Sequence, residues 1–116
     1  MDAEELRWRT KKFALRIIEF VETLPRLRSV LVLGNQLVRS ATSVGANYRS
    51  ACRARSKSDF ISKISIVEEE ADETAYWLEL ISGLNLVKSN NLDSLLKEAK
   101  ELTAIFTASR RTAKFK

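Results

Sequence analysis

SDFISKISIVEEEADETAYWLELISGL (Ser58–Leu84) has no proline, and its one glycine stands next to its end. Phe60, Ile64, Val67, Ala71, Thr74, Leu78 and Ile81 recur by alternating steps of four and three residues. That is a heptad seam over three repeats, the pattern of a helix that buries one stripe against other helices. A half-buried strand would alternate with period two, and this stretch does not. The spacing predicts a helix over about 59–84 with Ser58 as its N-cap. A second stripe, Ile66, Glu70, Glu73, Trp77, Leu80 and Leu84, runs beside the first.

The flanking sequence reads the same way. Phe13, Ile17, Phe20 and Leu24, widened by Ala14, Ile18 and Val21, predict a helix over about 3–24. Pro25 ends it, because the residue before a proline avoids the α region. Leu33, Leu37, Ala41, Val44, Tyr48 and Ala51 predict a helix over about 28–55. Its middle, SATSVGA (Ser40–Ala46), has no long side chain and mediocre helix propensity. A helix there must be held by tertiary packing, and its small residues let another backbone come close. Leu92, Leu95, Leu96, Ala99, Leu102, Ile105 and Phe106 predict a helix over about 92–113, capped by Asn91 or Asn90. Short links between long helices force antiparallel neighbours. The expected fold is all-α: one up-down-up-down antiparallel four-helix bundle domain over residues 1–116.

Composition narrows the chemistry. The chain has no histidine and one cysteine, Cys52. That removes Ser-His-Asp and Cys-His catalysis, an internal disulfide and a plausible zinc site. Cys52 is expected to be a small buried filler beside the second helix's stripe, and a reducing cytoplasm suits a lone thiol. Neither a signal peptide nor a membrane span is expected. The sequence thus points to no catalytic residue, no metal and no cofactor, in a cytoplasmic protein that is not an enzyme.

The net charge of +5 is unevenly spread. Antiparallel threading gathers residues 1–16, 49–63 and 107–116 at one end of the bundle. That end carries fourteen Lys and Arg against four Asp and Glu, a net +10, which leaves −5 for the rest. Such a pole focuses a positive field, and its natural ligand is a polyphosphate such as RNA or DNA held by the backbone. Arg7, Arg9, Lys11, Lys12, Arg53, Arg55, Lys57, Arg110 and Arg111 are the expected phosphate contacts. The competing reading is that these side chains only solubilise the ends. Trp8, among them, either stacks on a base or packs on its own bundle.

The acidic run Glu68–Glu70, Asp72 and Glu73 lacks the Glu-x-x-His of di-metal bundles. It reads as a solvated face or as partners for basic residues. If the second and third helices fold back about residue 57, facing positions sum to about 114 and Arg39 meets the Glu73–Ala75 region. A structural polar network of Arg39, Asn47, Glu70, Asp72 and Glu73 is expected, built on an Arg39–Glu73 or Arg39–Asp72 contact. Alternatively the second stripe faces another subunit. Ile18, Ile61, Trp77 and Leu80 exceed what one seam needs, and surplus apolar surface argues for self-association.

LVRSATSVGANYRSA (Leu37–Ala51) and SKSDFISKISIVEEEADETAYWLELI (Ser56–Ile81) resemble the bacterial four-helix-bundle family that includes proteins encoded in 23S rRNA intervening sequences. Phe13-Ala14, Leu24-Pro25 and Leu95-x-x-Glu98 fit as well, so the resemblance spans roughly residues 10–107. Ser50 departs from the pattern, which favours an acidic residue there. The resemblance implies closed bundles assembled into five-membered barrels with a central channel, without assigned catalytic residues. It also implies kinship with the accessory protein of diversity-generating retroelements, which binds a reverse transcriptase and nucleic acid. The expected partners are therefore further copies of the chain (a homopentamer by resemblance), RNA or DNA, or a protein partner for which the bundle is a scaffold.

Overall fold

A computed structural model of the chain describes residues 1–115; Lys116, counted above in the basic end, lies outside the described residues. Four helices follow one another: α1 (Ala3–Glu22), α2 (Arg28–Ala51), α3 (Lys57–Gly83) and α4 (Asn90–Lys114). They form a rod of 46 × 20 × 20 Å. Each helix packs on its neighbours in the chain and α1 closes on α4, with no close backbone approach across either diagonal. Among the described residues, no helix is long and apolar enough to cross a membrane.

The helix ends depart from the sequence reading for local reasons. α1 stops at Glu22, not Leu24: Thr23 and Leu24 donate back to Phe20 and Val21 in a tightened last turn ahead of Pro25. α2 stops at Ala51, four residues before Arg55. Arg53 and Ala54 donate to Ser50 and Ala51 as the chain reverses. α3 is capped by Ser56, not Ser58: its hydroxyl accepts the Asp59 N–H at 3.0 Å, and the Asp59 carboxylate accepts the Arg55 N–H at 3.1 Å. This reciprocal arrangement resembles a capping box and fixes the helix start two residues earlier. α4 is capped by Ser89, which accepts the Leu92 N–H at 3.1 Å, rather than by Asn90 or Asn91. Past α3, Asn85 has φ 56°, the left-handed conformation that often ends a helix and that Asn tolerates best after Gly.

The core is the meeting of the four predicted stripes. Phe13, Ile17 and Phe20 meet Leu37, Ala41 and Val44, then Ile64, Val67, Ala71, Leu78 and Ile81, then Leu95, Ala99, Leu102 and Phe106, all buried. Of the α3 seam only Phe60, in the first turn, is half-exposed. Burying one such side chain stabilises by about 1.5–3 kcal/mol, against about 0–1 kcal/mol for an exposed ion pair. The seams therefore hold the bundle, and polar contacts select its register. The register sum of 114 is met by Ser40 and Thr74, both fully buried, whose hydroxyls lie 2.8 Å apart; the Thr74 hydroxyl is also 2.8 Å from the Glu70 carbonyl. Of the three glycines, Gly34 is the most crowded: an added Cβ would stand 3.1 Å from a Val21 methyl group. At Gly45, inside the small-residue stretch, a Cβ would meet Thr10 at an ordinary 3.5 Å.

Candidate nucleic-acid interface

Three of the four boundaries between adjacent helices are bridged by ion pairs. Across α1–α4, Arg9 forks onto Glu98 through Nε at 2.8 Å and Nη2 at 2.6 Å, and reaches Glu101 at 2.9 Å. Arg16 adds a bond to Ser94 at 2.8 Å. Across α2–α3, Arg39 binds Glu70 at 3.0 Å and also Glu73. Across α3–α4, Arg110 binds Glu68 at 2.6 Å, Thr107 donates to the same carboxylate, and Lys100 faces Glu79 at 3.9 Å. Arg110, helped by Thr107, holds the Glu68 carboxyl below the usual carboxylate range despite partial burial. Burial pushes Glu73 upward, but the Arg39 guanidinium that donates to it leaves it lowered overall.

The α1–α2 boundary has no such bridge among the described residues. It opens instead into a cleft of about 910 Å³ at the predicted basic end. Arg7 and Lys11 line it from α1, Arg49 from α2 and Arg53 from the turn just past it, and none of the four has a carboxylate partner among the described residues. Glu4 is the single acidic residue in the lining. Ala14 on the Arg7–Lys11 row of α1, and Thr42, Gly45 and Ala46 on α2, add positions without bulk to the lining. This gives SATSVGA a second consequence: lacking bulk, it leaves an open valley. Trp8 stands on the α1 side of the cleft, 60% exposed rather than packed into the bundle.

A shallower depression, lined by Arg49, Ser50, Arg53, Arg55 and Lys63, continues the basic surface round to the start of α3. Lys63 is tied to Asp59 at 3.1 Å. The Arg55 backbone N–H and Lys63 keep Asp59 low and ionised. Tyr48, in the last turn of α2, packs across the bundle on Phe106 of α4 with ring centroids 5.2 Å apart. Burial, reinforced by neighbouring Cys52, pushes the Tyr48 phenol up to about 12.

The predicted phosphate contacts thus fall into three sets. Arg7, Lys11 and Arg53 share the cleft, and Arg55 joins them through the adjoining depression. Arg9 and Arg110 are spent on α4 and α3 as interhelix clamps. Lys12, Lys57 and Arg111 are exposed but outside the cleft lining. Arg49, left out of that set, lines both depressions; its signal in the sequence is the i, i+4 spacing to Arg53.

Two further expectations change. Cys52 is exposed and lines the cleft: α2 ends at Ala51, so the residue after it leaves the buried stripe. The polar network is smaller than expected. Arg39, Glu70 and Glu73 form it with Gln36, whereas Asp72 is exposed and makes no ion pair among the described residues. Asn47 turns back on its own helix, donating to the Ser43 carbonyl and hydroxyl at 2.8 Å. Both lie about a quarter-turn or more from the Arg39 contact on their helices. Among the described residues, no three Cys, Asp or Glu side chains are grouped to hold a metal ion.

Residues 5–108 match the family described as 23S rRNA-intervening sequence protein. The chain belongs to that family. The chain is also similar to a crystal structure of a protein of unknown function from the S23 ribosomal protein family of Bacteroides thetaiotaomicron. The two are 32% identical, with 96% of this chain and 99% of that one covered and a TM-score of 0.85. No curated protein matches the chain. The match covers α2 and all of α1 beyond Glu4, the helices that wall the cleft.

Proposed function

We infer that this protein is a non-enzymatic, homo-oligomeric member of its family that binds the RNA or DNA backbone through its basic end. One observation carries the reading: Arg7, Lys11, Arg49 and Arg53 line one open cleft and have no carboxylate partner among the described residues, while Arg9, Arg39 and Arg110 at the other three boundaries are paired. Unpaired cations of one sign in a concavity attract a polyanion and release its counterions. No base-reading element is present, so recognition is of backbone and shape.

The test is filter binding of RNA and DNA across a salt series. Affinity falls steeply with salt, and R53A reduces the log–log slope by about one unit. Salt-insensitive binding, or none at low salt, overturns the reading. Self-association rests on exposed Leu15, Ile18, Leu31 and Val32, and on Ile66, Leu80 and Leu84 of the second α3 stripe. The number five comes from likeness to the family, and native mass measurement decides it.

The same apolar side chains favour a second reading: a scaffold or accessory subunit, for example of a reverse transcriptase, with incidental nucleic-acid affinity. A protein complex that survives nuclease treatment and is lost on L80E/L84E substitution, but not on R53A, supports it.

A further inference from the structure

The cleft has a shape as well as a charge. α1 and α2 touch along it, with Thr10 of α1 in van der Waals range of the space beside Gly45 of α2. Helices in such contact have axes about 8–10 Å apart, so the valley between them is narrow. A duplex is read the other way round: a convex helix or ribbon enters a major groove about 12 Å wide. A duplex laid against this face would rest on the rims and not follow the valley down between α1 and α2. One extended strand fits between the walls, with cations on both sides of its backbone.

Trp8 supplies what a single strand offers and a duplex hides, an aromatic surface for an unpaired base. It is 60% exposed, one residue from Arg7 and three from Lys11. Its indole therefore lies within reach of any chain whose phosphates sit on those two cations.

We propose that the α1–α2 cleft is a site for single-stranded nucleic acid, with phosphates along Arg7, Lys11, Arg49 and Arg53 and one base stacked on Trp8. This rests on the polyanion reading above and narrows its ligand to unpaired strands. Stacking on an indole is indifferent to base identity, so the site is sequence-tolerant. The cleft offers no feature that selects ribose over deoxyribose, so oligo(U) and oligo(dT) bind alike.

The experiment uses the full chain and fluorescence anisotropy of labelled oligo(U), oligo(dT) and a blunt duplex, each of about 12 nucleotides per strand, within the usual span for such grooves. Trp8 is exposed, so W8A and W8F should fold, and circular dichroism verifies it. Single strands bind the wild type more tightly than the duplex. W8A weakens single-strand binding by roughly five- to a hundredfold, the equivalent of a lost base–aromatic stack. It leaves duplex binding unchanged, and W8F restores most of the loss. R49A/R53A weakens every ligand and flattens the salt dependence. Single-strand affinity unchanged in W8A, or a wild type that prefers the duplex, overturns this inference and leaves the broader polyanion reading standing. Absence of salt-dependent binding to all three ligands overturns both.

Discussion

Ser40 and Thr74 show how one pair of atoms sets a register. Their hydroxyls meet at 2.8 Å inside the buried seam, and each also reaches a carbonyl of its own helix, Thr74 that of Glu70 at 2.8 Å and Ser40 that of Leu37 at 3.4 Å. T74V and S40A should each destabilise by about 0.5–1.5 kcal/mol, with the double variant costing clearly less than their sum because they share one bond. Denaturant melts of the four proteins measure this, and strict additivity would remove the pair from the account. Gly45 gives an opposite case. A Cβ there meets Thr10 at 3.5 Å, so G45A should be neutral or stabilise by up to about 1 kcal/mol through helix propensity. G34A, against Val21 at 3.1 Å, should gain less or lose stability. Periodicity made the buried apolar residues legible. It did not show Arg9 and Arg110 turned onto Glu98 and Glu68, because which cation finds a carboxylate depends on the rotation of two helices about their axes.

At the level of whole helices, their number, order and buried faces could be read from spacing, and their ends could not. Both serines near the α3 start are good caps by composition, and the choice between them is made by chain reversal after Ala51 and by Asp59 answering Arg55. S56A should therefore cost about 0.5–2 kcal/mol, whereas S58A should fall within about 0.5 kcal/mol of the parent. Thermal melts giving the reverse order would restore the later helix start. The rim of the cleft lies at one of these ends: Arg49 in the last turn of α2, and Cys52 and Arg53 just past it, line the same depression.

For the molecule as a whole, charge legible in the sequence becomes a pole because four antiparallel helices bring distant segments together. Its pH behaviour follows from the same residues. Asp59, Glu68 and Glu73 are held below the ordinary carboxylate range, so on acidification the unfolded chain takes up protons first. Their contribution is complete above about pH 4.5 and disappears as pH falls through their lowered values. Tyr48, up at about 12, acts at the other extreme: above about pH 10 the unfolded chain loses this proton first and stability declines. With no histidine to titrate, the melting temperature should stay level from about pH 7 to 5.5 and drop below about pH 4.5. A marked slope across the neutral range would contradict this. The two indoles carry a last consequence. Trp8 stands open among cations, while Trp77 keeps its ring nitrogen inside the bundle. Iodide should thus accumulate around the first and quench its emission strongly, caesium should be repelled from it, and dissolved salt should narrow the gap between the two quenchers.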